Sequence, residues 1–330
     1  MAIKYKEISV KTFFDEKQED FRLEILAGAK ALEKRKIVTP DINRPGMALA
    51  GFTGIFLAER IQIIGRTETS YLKTLDETTA ARTIKRILQF QPPCIVVTKR
   101  VHVPKFFLEA AEENQVPVLF TRFDTTHFIH RISAYLDYRL APETYLHGDL
   151  VDVYGIGLLI VGESGIGKSE CALDLVDRGH RLVADDLVKI LRRGEGILMG
   201  YGAAKTPTLQ HHIEIRGVGI VDIYSIYGIR SVRVQKRVEV QVELVRWTKR
   251  LTYDRIGIEE EFTEILGVKI PRVRIPVIPG KNLALVCEVI AKNHLSKILG
   301  YHPAKLFNQE LLKVMRHRPR IDPFITDDLE

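Results

Sequence analysis

The chain has 330 residues, 45% hydrophobic and 28% charged, the balance of a folded globular protein rather than of a disordered or low-complexity one. At about 150 residues per domain, that length accommodates two domains, each able to bury a core. Lys and Arg number 49 against 42 Asp and Glu, a formal charge of +7 that favours acidic or phosphorylated partners; the basic residues are dispersed, and their densest clusters, 34–36 and 316–320, read as solvated faces rather than a nucleic-acid surface.

In chain order, the first residues carry charge from Lys4 onward and lack the apolar run of a signal peptide. Up to about residue 135, short apolar runs at 62–65, 94–97 and 116–120 alternate with helical patterns at 77–89 and 105–115, and 128–139 is amphipathic enough to close the unit as a helix. This pattern predicts an α/β fold that opens with a β/α domain. Pro142 breaks the helical pattern, so the first domain is expected over 1–138 and a second over 139–330.

In the second half, 150–161 is almost wholly apolar and β-branched, a buried strand or pair of strands running straight into a glycine-rich turn. A helix over 169–177 follows, Gly179 stands where a helix C-cap is expected, and a strand over 181–184 meets two acidic residues. Val232, Val234, Val238, Val240, Val242 and Leu244 keep one parity among polar residues, the period-two alternation of a half-exposed strand or hairpin with a basic face. Two terminal helices are expected over 283–299 and 303–316. No stretch approaches the ~18 continuous apolar residues of a membrane span. Cys94, Cys171 and Cys287 are odd in number and far apart in sequence, which fits neither a disulfide framework nor a C-x-x-C site and suits a reducing cytoplasm.

The strongest chemical signal is Gly162-Glu163-Ser164-Gly165-Ile166-Gly167-Lys168-Ser169, a G-x-x-x-x-G-K-[ST] loop between an expected strand and an expected helix. The glycines let backbone N–H groups converge on phosphate oxygens and the helix N-terminus adds its positive dipole end. Lys168 can reach β- and γ-phosphates, and Ser169 can ligate Mg²⁺. Asp185 and Asp186 end what is expected to be the neighbouring strand of the same sheet, where a carboxylate can hold Mg²⁺ or accept the proton of an attacking hydroxyl. His147, at the turn feeding the loop's strand, Glu214 and Arg216 in a glycine-marked turn, and Arg255 are further candidates, each weak alone. No H-R-D or D-F-G run is present, so the pattern excludes the eukaryotic protein-kinase fold.

These segments resemble HPr kinase/phosphorylase, a bifunctional bacterial enzyme family of carbon regulation. The resemblance is carried, in family order, by YLHG (145–148), GESGIGKSE (162–170), RGHRLVADD (178–186), IEIRGVGIVDI (213–223), YDRIG (253–257) and IPVIPGKN (275–282). The amino-terminal half is similar only in outline. The resemblance implies a carboxy-terminal P-loop kinase domain resembling phosphoenolpyruvate carboxykinase. Its implied activity is phosphorylation of a serine on the protein HPr at the expense of ATP (or pyrophosphate), together with phosphorolysis of phosphoseryl-HPr to pyrophosphate. By motif it implies that Asp186 is base and acid in the two directions, that Lys168 neutralises phosphate charge, that Ser169 and Glu214 hold Mg²⁺, and that His147 and Arg255 complete the site. It links 276–281 to dephosphorylation and 213–222 to both directions, and implies a cytoplasmic homohexamer. A P-loop small-molecule kinase and a non-catalytic nucleotide-sensing regulator are the competing readings.

Overall fold

The computed structural model describes residues 6–99, 103–194, 196–203, 210–248 and 260–316. The chain divides into two compact units, Met1–Pro142 and Glu143–Glu330.

The first unit contains β1 (Ile8–Ser9), α1 (Val10–Phe21), β2 (Leu23–Ala27), β3 (Lys36–Ile37), β4 (Ile42–Asn43), α2 (Gly46–Leu49), β5 (Ile61–Ile64), α3 (Arg66–Leu72), α4 (Glu77–Gln89), β6 (Ile95–Thr98), α5 (Lys105–Glu113), β7 (Val118–Thr121) and α6 (Thr125–Arg139). Its main sheet has the order β2-β7-β6-β5-β4, with β4 to β7 parallel and β2 antiparallel on β7. β5 and β6 are buried along their whole length because helices cover both faces. Phe13 and Phe21 of α1 and Phe128, Ile132 and Leu136 of α6 pack on one face; Ile84, Ile87 and Leu88 of α4 and Phe107 and Ala111 of α5 pack on the other. Local chemistry sets the helix starts: Asp76 and Asp124 are N-caps whose carboxylates accept the Thr79 and His127 N–H groups.

The second unit contains β8 (Glu143–His147), β9 (Asp149–Val153), β10 (Ile156–Gly162), α7 (Lys168–Asp177), β11 (Arg181–Ala184), β12 (Leu187–Arg193), β13 (Ile197–Gly202), β14 (His212–Ile215), β15 (Gly219–Asp222), α8 (Ile223–Tyr227), β16 (Gln235–Arg237), β17 (Val240–Arg246), β18 (Glu261–Ile265), β19 (Val268–Val277), α9 (Leu283–Ile298) and α10 (Pro303–Arg316). A six-stranded sheet runs β11-β9-β10-β17-β19-β18 and a four-stranded sheet β16-β13-β12-β8. Period-two alternation sorts the side chains of β9 and β10. Val151, Val153, Leu158 and Ile160 meet α7 and α9, while Leu150 and Leu159 join Val188, Ile190 and Leu198 of the smaller sheet. The large sheet is therefore covered by helices on one face and by the small sheet on the other.

Two expectations need correction. The segment 150–161 is the pair of strands of the two readings, an antiparallel hairpin, but β9 lies between β10 and β11, so the acidic pair ends a strand one place removed from the loop's own and not its neighbour. The alternating segment 232–244 is not one strand or hairpin: β16 belongs to the small sheet and β17 to the large one. The chain crosses between them where the Val238 N–H donates to Leu198 and the Glu239 N–H to Gly157. Parity survives the crossing because Val238, Val240, Val242 and Leu244 face buried layers throughout. Cys171 and Cys287, remote in sequence, are buried free thiols whose sulfurs lie 3.9 Å apart between α7 and α9. Among the described residues no helix is long and apolar enough to cross a membrane.

Candidate functional site

Residues 162–169 form a loop from the end of β10 into α7, with Gly165 and Gly167 at φ +77° and +101°, conformations that a side chain opposes. Gly167 is the residue preceding α7, so the helix N-terminus opens into the loop. Lys168 turns back over it, its Nζ donating to the carbonyls of Gly162 and Glu163 at 3.3 Å each. Arg216, from the turn after β14, lies on the opposite rim: a β-carbon at Gly165 would come 2.7 Å from its guanidinium. The Glu163 carboxylate is paired with Arg246 at 2.9 Å.

Asp185 joins the loop to the hairpin of β14 and β15. Its Oδ1 accepts the Ser169 hydroxyl at 2.9 Å, and its Oδ2 accepts the Glu214 N–H at 3.3 Å. Ser169 and Glu214 are thus brought to either side of one carboxylate. Asp186 departs from this pattern. It adopts a left-handed conformation with φ +62°, and its exposed carboxylate makes no hydrogen bond among the described residues. The Asp186 N–H donates to Asp149 Oδ1 at 3.0 Å, and its carbonyl accepts the Gly148 N–H at 3.0 Å. His147 is exposed and pairs with Leu187 in the register of β8 and β12, beside the acidic turn.

Asp149 is the residue that the sequence pattern does not flag. It opens β9, is wholly buried, and leaves Oδ2 without a hydrogen-bond partner. Burial, reinforced by the neighbouring Asp185 carboxylate, raises its pKa well above the usual carboxylate range. Asp185 is itself raised, chiefly by burial. The signal in the sequence is a charged residue heading an otherwise apolar run. Arg216 has a weaker one, a cation in a glycine-marked turn whose closeness to the loop only the fold reveals.

Arg255 and the rest of 253–257 lie outside the described residues. The segment 276–281 takes in the last two residues of β19 and runs past its end, and the parallel registers of β10, β17 and β19 align Gly162 with Leu244 and Leu244 with Ile275, so this segment leaves the same sheet edge as the loop 162–169. Among the described residues no group of three or more His, Cys, Asp or Glu is arranged to hold a metal ion. The oxygens near the loop are those of a hydroxyl and of carboxylates, hard donors that suit Mg²⁺, an ion that takes only one or two protein ligands when phosphates and water supply the rest.

Comparison with known proteins covers both units. Residues 8–136 match the family model described as HPr Serine kinase N terminus, and residues 138–311 match that of the HPr Serine kinase C-terminal domain. The HPr kinase/phosphorylase of Thermoanaerobacter sp. (strain X514) is 44% identical over 294 residues, 89% of this chain and 95% of that protein. The HPr kinase/phosphorylase of Geobacter sulfurreducens is 42% identical over 312 residues, 94% of this chain and 97% of the relative. Among solved structures, the HPr(Ser) kinase/phosphatase from Coxiella burnetii is 33% identical, with a TM-score of 0.44 over 50% of this chain and 98% of that one. With two family models in sequence across most of its length and relatives matched nearly end to end, the chain belongs to the HPr serine kinase family.

Proposed function

We propose that this chain transfers the γ-phosphoryl group of ATP, or a phosphoryl group of pyrophosphate, to a serine of HPr. In the reverse direction it uses inorganic phosphate to take that group back as pyrophosphate. The observation that carries the reading is the junction at Asp185, which ties the phosphate loop through Ser169 to Glu214 while the adjoining Asp186 carboxylate stands free. Phosphoryl transfer demands positioning and charge neutralisation more than covalent chemistry, and these groups supply both.

The loop 162–169 cradles the phosphates with backbone N–H groups, and Lys168 exchanges its two loop carbonyls for phosphate oxygens. Ser169 and Glu214 hold Mg²⁺, with Asp185 orienting the Ser169 hydroxyl. The ion, when bound, neutralises charge on the phosphate chain. Asp186 accepts the proton of the serine hydroxyl as its oxygen attacks phosphorus and ADP leaves. In phosphorolysis it returns that proton to the serine oxygen as the bond to phosphorus breaks. His147, beside the same turn, and Arg255 complete the site by analogy of motif. The protein works in the cytoplasm as a homohexamer, which a native mass measurement checks.

The test is labelled ATP incubated with the chain and HPr, for the wild type and for Asp186→Asn, across a Mg²⁺ titration. Label on HPr serine supports the reading; label on a metabolite, or nucleotide binding without transfer, refutes it. Asp186→Asn is expected to lose turnover in both directions, by roughly 100-fold or more, while ATP affinity stays. Recovery of turnover at high Mg²⁺ would make Asp186 a metal ligand instead.

A further inference from the structure

We infer that Asp149 is a positioning residue for Asp186: its buried carboxyl and the adjoining Gly148 N–H together hold the Asp186 backbone in the left-handed conformation that presents the reactive carboxylate. The inference rests on the reading of Asp186 as the proton-handling group. A residue with a β-carbon keeps a positive φ only where its surroundings fix it, and both backbone groups of Asp186 are so fixed. Its N–H donates to Asp149 Oδ1 and its carbonyl accepts from Gly148, each at 3.0 Å. The clamp is therefore two successive residues, one strand end gripping one turn on both sides.

Packing gives no reason for an acid at this position. β9 is buried throughout; its other positions are Leu150, Val151, Val153 and Asp152, whose carboxylate is paired with Arg233, whereas Asp149 has no cation partner among the described residues and an aliphatic residue there would avoid the cost of desolvating a carboxyl. Among the described residues the Asp186 N–H is the one hydrogen-bond donor on this side chain, and the two residues are 37 apart in sequence. The clamp is itself held in place. A β-carbon at Gly148 would come 2.5 Å from the carbonyl oxygen of Ile160, so the chain there is pressed against β10, the strand that carries the phosphate loop. Asp186 is thereby tied to the loop's strand through the Gly148 backbone and through the short, buried side chain of Asp149. An Asn side chain has the same shape as that of Asp149, and its amide oxygen can accept the Asp186 N–H in the same way.

The experiment compares wild type, Asp149→Asn, Asp149→Val and Asp149→Ala in ATP-dependent phosphorylation of HPr, with kcat, the KM for ATP and direct ATP affinity measured well below each protein's melting temperature. Val and Ala are expected to lower kcat roughly 10- to 100-fold with ATP affinity unchanged, because a displaced carboxylate costs turnover and not nucleotide binding. Asn is expected to stay within about threefold of wild type. The inference is overturned if Val or Ala keeps kcat within about twofold of wild type, or if Asn loses as much as they do. It is also overturned if the loss falls on ATP affinity, or if Val and Ala both fail to fold, since Asp149 would then serve the core alone. A wild-type protein that transfers nothing to HPr would remove the functional reading and the inference with it, and is recognised before any variant is made.

Discussion

Lys168 donates to the carbonyls of Gly162 and Glu163, and no carboxylate pairs with it among the described residues, so its charge is available to any anion that enters the loop. Lys168→Ala removes a point charge where charge develops in the transition state. It is expected to lower transfer in both directions by about 100- to 1000-fold with little change in melting temperature, and a near-normal rate would refute the assignment of the loop. Asp149 makes a different prediction, on stability. Its pKa is pushed up to about 8 in the folded protein, against about 4 for an unfolded aspartate. The folded state thus binds the proton more tightly than the unfolded one. The stabilisation from that proton is complete below about pH 4 and lost as pH rises through about 8. Asp149→Asn has no such proton to lose, so between about pH 5 and about pH 8 its unfolding free energy should decline less than that of the wild type. Parallel declines in urea titrations would show that the carboxyl is ionised in the native state.

At the scale of elements, legibility followed how local the determining forces are. Helix α4 can be read off the chain because Asp76 caps it and Ala80, Ile84, Ile87 and Leu88 form one buried stripe. The phosphate loop is legible for a similar reason, its glycines and lysine answering a backbone requirement within eight residues. Helix α1 is obscured because the charged run from Asp15 to Asp20 hides a buried face made by Val10, Phe13, Phe14 and Phe21. The pairing of β8 with β12, and the insertion of β9 between β10 and β11, depend on contacts that no short window contains. Asp149 and Arg216 share that difficulty, each acquiring its role only when distant segments meet. Gly157 is a case where such a meeting leaves a measurable trace. A β-carbon there would lie 1.8 Å from the carbonyl oxygen of Arg237, and the Gly157 N–H and carbonyl are both bonded to Glu239 at the crossing between sheets. Gly157→Ala must push backbone away from backbone, so a loss of about 3 kcal/mol in urea unfolding is expected. A loss under about 0.5 kcal/mol would mean that the crossing segment can yield.

At the scale of the whole molecule, each unit carries its own hydrophobic cores. The clusters of the first draw on residues up to Leu140, and those of the second on residues from Leu146 onward. Every residue assigned to binding or chemistry stands at or beyond His147, and the first unit presents no comparable constellation among its described residues. A domain with a separate core can fold alone when the chain is cut in the connecting segment, and α6 ends at Arg139, four residues before β8 begins. A chain truncated to start at Arg139 is therefore expected to give a cooperative unfolding transition and to phosphorylate HPr within about tenfold of the full-length rate. The two measurements separate the possible failures. A truncated chain that does not fold would show that the second unit needs the first for stability. One that folds, assembles and binds ATP yet transfers nothing would show that the first unit contributes to the reaction itself, and the placement of chemistry wholly in the second unit would be wrong.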